Sequence, residues 1–178
     1  MKNIAMLLTV VLLMVALVYI LQSPEEQLYS TDSKIALELY NQGCDASYLM
    51  KDDEAISLML EAVSEDPRFA IAQARLAVMY HKEKDEDLAK QHTAAAESLL
   101  AFVDSELERD KIKLLLAQFK QLKLAQFDSL LNRVIEQDPE DLQVMIVQAA
   151  VLESRRDPGA IDIYKSIVEK NSNFAPAY

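Results

Sequence analysis

Two triplets of small residues share one spacing in this sequence. Gly43, Ala55 and Ala62 are followed thirty-four residues later by Ala77, Ala89 and Ala96. A spacing kept over consecutive stretches marks a structural repeat, and a period of this length belongs to stacked helical hairpins. The spacing has a packing cause. Two antiparallel helices come close only where the facing side chains are small. Counted from units that start at Ala36 and Ala70, the triplets fall at the eighth, twentieth and twenty-seventh positions. The first two positions face each other inside a hairpin, and the third faces the next hairpin. Asp66-Pro67 and Asp138-Pro139 close one helical segment and open another. Proline cannot continue a helix but is tolerated in the first turn of a new one.

Composition agrees with an all-α fold. The 178 residues are 51% hydrophobic and include only two glycines, Gly43 and Gly159. Sheet turns and phosphate-binding loops of dinucleotide folds require more. Ala, Leu, Glu, Lys and Gln dominate, and all favour helix.

A third unit is expected from Glu108, ending at Asp138-Pro139. Its eighth, twentieth and twenty-seventh positions are the bulky Leu115, Phe127 and Val134. Either its two helices splay apart or its register differs. The fourth unit starts at Leu142, with Ala149 at the eighth position. With one residue deleted in its loop, Ala160 and Tyr164 fall at the twentieth and twenty-fourth. The final NSNFAPAY resembles the opening of a fifth. Ser105 and Glu108 have the spacing of a capping box. Asp157-Pro158-Gly159 predicts another helix start, and Asp52 precedes the second helix of the first unit. Units two and three start 38 residues apart, which predicts an extra helical turn within 85–103.

These spacings, above all in DDEAISLMLEAVSEDPRFAIAQARLAVMY, resemble the tetratricopeptide repeat family. The stretch from Leu88 through Arg109 also looks like bacterial arrays of that family in which a long helix precedes the next motif. The resemblance covers 36–178 and implies a right-handed helix-turn-helix solenoid of about four units. It also implies a concave groove that holds a protein partner. By the family's register, the first unit contributes Leu37, Tyr40, Cys44, Ser47 and Tyr48 to that groove, and the second Ala74, Val78, His81 and Lys82. The third contributes Arg109, Ile112, Leu116, Phe119 and Lys120, and the fourth Gln143, Ile146, Ala150, Glu153 and Ser154. The Lys/Asn set of the family's carboxylate-binding subtype is missing.

The first 22 residues pose a separate question. Residues 4–21 read IAMLLTVVLLMVALVYIL, without a charge. Eighteen helical residues span roughly 27 Å, close to the hydrocarbon thickness of a bilayer. Lys2 precedes the run and Pro24, Glu25 and Glu26 follow it. The positive-inside bias then predicts a single-pass transmembrane signal-anchor over 1–22, with the N-terminus in the cytoplasm. A linker over 23–35 and a repeat domain over 36–178 would lie outside, in the periplasm of a bacterial cell. A cleaved signal peptide is the alternative, although the run is long for one and the cleavage pattern near Ser23 is poor.

Net charge is -11, and past residue 22 the balance is 17 basic against 29 acidic residues, or -12. Such a surface repels phosphate backbones, so nucleic acid is not an expected partner. Cys44 is the only cysteine, which excludes an intrachain disulfide. No catalytic or metal constellation is evident. His81 and His92 are not at the spacing that puts two ligands on one helix face. The clusters Asp52-Asp53-Glu54 and Asp85-Glu86-Asp87 lack the calcium-loop pattern and suit helix N-termini. No cofactor is expected. The last predicted helix carries Ile161, Ile163, Tyr164, Ile167 and Val168, and solenoid ends need a polar cap. That end, with Ile163, Tyr164, Ile167, Phe174 and Tyr178, is therefore expected either to dock on a partner or a second copy, or to be capped by the folded-back tail.

Together these features lead us to expect a non-enzymatic, membrane-anchored scaffold of an envelope complex. An assembly factor or chaperone for secreted clients, laid out like the membrane-tethered repeat subunits of cytochrome c maturation, is the alternative.

Overall fold

The computed structural model describes residues 28–120 and 122–170 of the chain. The described residues form eight α-helices and no strand. They are α1 (Lys34–Tyr48), α2 (Asp52–Glu65), α3 (Ala70–Lys82), α4 (Glu86–Leu99), α5 (Glu106–Leu116), α6 (Leu124–Gln137), α7 (Leu142–Ser154) and α8 (Gly159–Lys170). No described helix is long and apolar enough to cross a membrane. The apolar run over 4–21 lies outside the described residues, as do Phe174 and Tyr178.

Short polar side chains start several of these helices. Ser33, Asp85, Ser105 and Asp141 each accept a hydrogen bond from a backbone N–H in the first turn of α1, α4, α5 and α7. Two sequence expectations are corrected here. Asp52 is the first residue of α2 rather than its cap, so Asp52, Asp53 and Glu54 place three carboxylates at the positive end of the helix dipole. The Ser105–Glu108 box forms only by half. Ser105 accepts from the Glu108 N–H, but the Glu108 carboxylate turns away to Ser30, accepting from its N–H and its hydroxyl at 2.7 Å each.

The helices pair as hairpins, α1 with α2, α3 with α4, and α7 with α8. Gly43 shows why small residues recur. A Cβ there would lie 3.0 Å from the Met59 side chain and 3.4 Å from the Ala55 carbonyl oxygen. Ala55, Ala62, Ala77, Ala89, Ala96 and Ala149 are all fully buried along the corresponding seams. The three hairpin turns are also alike. Met50, Lys84 and Arg156 have φ of 59°, 64° and 57°, in the left-handed region. Each stands at the fifteenth position of a unit counted from Ala36, Ala70 or Leu142. In each turn the following N–H bonds back to a carbonyl five residues earlier (Lys51 to Ala46, Asp85 to Tyr80, Asp157 to Leu152). That is the Schellman closure, which satisfies orphan carbonyls at a helix end.

The third pair departs from this pattern. α5 and α6 touch less extensively than the other hairpins. α5 tightens into a 3-10 turn over Ala117–Phe119, and Lys120 is extended. Leu115 packs into the core of α1–α5, while Val134 belongs to a second cluster with Leu114, Leu130, Leu131 and Val144. Bulky residues at the seam thus hold the two helices apart. The four residues added between units two and three also have a place. α4 continues into a 3-10 turn at Leu100–Phe102.

The chain before α1 is part of the packing from Leu28 onward. Tyr29 is buried among Tyr40 and Phe69, with ring centroids 5.2 and 6.4 Å away. The Thr31 hydroxyl donates to Asp66 at 2.7 Å. Beside them the buried Lys111 ammonium, 5.6 Å from the Tyr29 ring centroid, bonds Asp138 at 2.7 Å and Asp141 at 2.6 Å. This cation ties α5 to both sides of the α6–α7 junction.

Candidate functional site

α1, α3 and α7 turn their inner faces toward one another, and Arg75 of α3 lies where they meet. The residue is only 8% exposed. Its Nε donates to the Tyr40 hydroxyl on α1 at 3.4 Å, and Nη1 donates to Oε1 of Gln143 on α7. Tyr48, at the end of α1, lies beside it. One arginine therefore joins three helices that are distant in sequence.

Two larger hollows flank the guanidinium, beside a small one of about 20 Å³ that it shares with Tyr29, Tyr40, Lys111 and Asp141. One, of about 250 Å³, is lined by Ser47, Tyr48, Arg75, Val78, Met79, Gln143, Ile146 and Tyr164. The other, of about 260 Å³, lies between Tyr29, Tyr40, Cys44, Asp45, Tyr48, Asp141 and their neighbours, again with Arg75. α8 closes the first hollow. Its Ile163, Tyr164 and Ile167 pack with Met145, Ile146, Ala149 and Tyr48.

The groove residues expected from sequence fall into three groups. Tyr40, Cys44, Ser47, Tyr48, Val78, Gln143 and Ile146 gather around Arg75. Ile112 and Leu116 do not face a groove. Both are fully buried in the main core, because α5 rotates its apolar side onto α3. The charged candidates lie in surface contacts. Lys82 reaches Asp52 at 2.7 Å, and Lys120 reaches Glu97 at 2.7 Å. Arg109 donates to the Val103 carbonyl at 2.8 Å. His81 bonds Glu86 at 2.8 Å and meets the Phe119 ring edge-on. Glu153 accepts from the Tyr164 hydroxyl at 3.0 Å, at the rim of the first hollow.

Of the residues expected at the docking end, Ile163 and Tyr164 are half-buried against the cluster of Met145, Ala149 and Ile167. Ile167 is fully buried, and on α8 the exposed large apolar residue is Ile161. Arg75 and Met79 escaped the sequence reading. The signal for Arg75 was a single charge in the middle of AIAQARLAV, a run otherwise apolar except for Gln73. Gln73 is buried too and bonds the His92 ring, which stacks on Tyr80.

Burial sets the protonation states of the groups around the hollows. Burial pushes the Tyr40 and Tyr48 phenols and the Cys44 thiol up from their ordinary values. At neutral pH the phenols are donors and the thiol is protonated, which disfavours nucleophilic attack by Cys44. Among the described residues no three His, Cys, Asp or Glu side chains group as metal ligands. The walls are aromatic and aliphatic, with a few convergent polar groups, as in many ligand sites. No protein-family model matches the chain, and no curated protein matches it in sequence.

Proposed function

We propose that this protein is a non-enzymatic scaffold of tetratricopeptide type, about four units long. It is anchored in the cytoplasmic membrane by residues 4–21 and holds a protein partner in the groove around Arg75. One observation carries the reading: seven of the nineteen expected groove residues converge with Arg75 on hollows between the first helices of three units. The repeated Schellman turns support the repeat assignment, since three hairpins use the same closure at the same unit position. The apolar run and its flanking charges support the anchor and a periplasmic repeat domain. The partner is a membrane or periplasmic protein.

Chemical cross-linking in intact membranes, followed by purification of the full chain, tests this. The reading expects one or two neighbours in fixed ratio. A spread of many secreted clients would favour the assembly-factor alternative, and an absence of any neighbour would sink both. Intact mass of the membrane-extracted chain tests the anchor. A mature chain beginning near Pro24 would overturn it.

A further inference from the structure

None of the ion pairs among the described residues includes Arg75. This is unusual for a buried guanidinium, because an unpaired buried charge is costly. Asp141 lines two hollows with it. Both Asp141 oxygens are already engaged, one by Lys111 and the other by the N–H of Val144. The hydrogen-bond partners of Arg75 among the described residues, Tyr40 and Gln143, are neutral and engage its Nε and Nη1 groups. A guanidinium has five N–H donors. The rest of the guanidinium lines both larger hollows, and its charge is felt by Asp141, since the single Lys111 ammonium faces both Asp138 and Asp141.

The two larger hollows differ in charge. The one on the Tyr29 side carries Asp45 and Asp141. The one on the Tyr164 side has no acidic lining residue, and the Glu153 carboxylate at its rim is occupied by the Tyr164 hydroxyl. Its walls, Val78, Met79, Ile146 and the Tyr48 and Tyr164 rings, suit apolar side chains on either side of an anion. Because hollows lie on both sides of Arg75, an extended chain can run past it rather than end there.

We propose that the hollow between Tyr48, Arg75, Gln143 and Tyr164 takes the side-chain carboxylate of an aspartate or glutamate, carried within an extended partner segment and flanked by apolar residues. The guanidinium supplies the charge-assisted hydrogen bonds, Gln143 and Tyr40 hold it in place, and the aliphatic walls cover the neighbouring side chains. This deepens the groove reading above and rests on it.

The test is a titration of the full chain in neutral detergent with three capped peptides, followed by the NMR signals of the Arg75 Nε–H and the Gln143 amide. The peptides are acetyl-Leu-Glu-Leu-amide, acetyl-Leu-Gln-Leu-amide, and acetyl-Leu-Gln-Leu with a free terminal carboxylate. The Glu peptide is expected to shift both signals saturably and to bind about tenfold more tightly than either other peptide, the gain of one charge-assisted contact. Arg75→Gln is expected to abolish that preference. Gln143→Glu, which places a carboxylate against the guanidinium from within, is expected to block the Glu peptide even if Arg75→Gln fails to fold. Equal binding of the Glu and Gln peptides, or Glu binding that survives Gln143→Glu, overturns the proposal. Tightest binding of the free-terminus peptide overturns the side-chain assignment. If these arms fail while a cross-linker at Ile146 still captures a neighbour, the anion site falls and the groove reading stands.

Discussion

Glu108 shows at the scale of one residue how this fold tolerates an unfavourable group. It is fully buried, and its Oε1 has no hydrogen-bond partner. Burial raises its carboxyl above the ordinary value, outweighing the two bonds from Ser30 and the nearby Lys111 charge. A carboxyl raised in the folded state favours the proton there, so its contribution to stability improves as pH falls through the raised value. Replacing Glu108 with Gln removes the charge and keeps an acceptor for Ser30. It is expected to stabilise the chain by about 1 kcal/mol at pH 7, checked by urea denaturation. Asp141 has the opposite sign. Burial alone would raise it, but the Lys111 charge and hydrogen bond, with the Val144 N–H, hold it below the ordinary value. Such a group adds stability above its unfolded value and loses it as pH falls through the folded one. Asp141→Asn is expected to cost about 2 kcal/mol at pH 7 and to reduce the loss between pH 7 and pH 3, in the same denaturation series.

Elements are joined here by two local devices, the small-residue seam and the Schellman turn. At the seam, Gly43→Val pushes a branched side chain into Met59 and the Ala55 carbonyl. It is expected to destabilise the protein by about 1–3 kcal/mol. Gly43→Ala is expected to be nearly neutral, because about 1 kcal/mol of helix propensity offsets the displacement of a flexible methionine. Met50, Lys84 and Arg156 adopt a backbone conformation that suits glycine. Substituting glycine singly at these positions is expected to raise stability by about 1 kcal/mol each, while glycine at Leu122, the corresponding position of the third unit, brings no gain. Thermal unfolding of the four variants checks this. Gly43, Ala55, Ala77 and Ala89 made the hairpins legible in the sequence, since close approach leaves no alternative to small side chains. The opened α5–α6 pair was legible only as two alternatives, because Leu115 and Phe127 exclude a tight seam without showing where each side chain goes. The turns were not legible as Schellman closures, because Met, Lys and Arg carry no sequence sign of a positive φ. Arg75 was missed as a site residue because register assigns positions to a groove but does not report how far the chain curls. Ile112 and Leu116 were placed in the groove for the same reason.

At the scale of the whole molecule, the first and last hairpins among the described residues meet. Tyr48 of the first hairpin packs with Met145, Ile163 and Ile167 of the last, and Arg75 links both to α3. Residues 28–33 add a strap across the same interior, through Tyr29, Ser30 and Thr31. The groove is thus a short, partly filled space between helices rather than a long open channel, which fits one or a few inserted side chains better than a folded domain. The central claim is that the partner is held there. Photo-cross-linking amino acids placed singly at Ile146 and Val78, inside the groove, and at Leu60, exposed on α2, test it directly in the full chain in membranes. The account predicts a discrete protein adduct from Ile146 and Val78 and none from Leu60. Adducts from Leu60 alone, or none from either groove position, would contradict it.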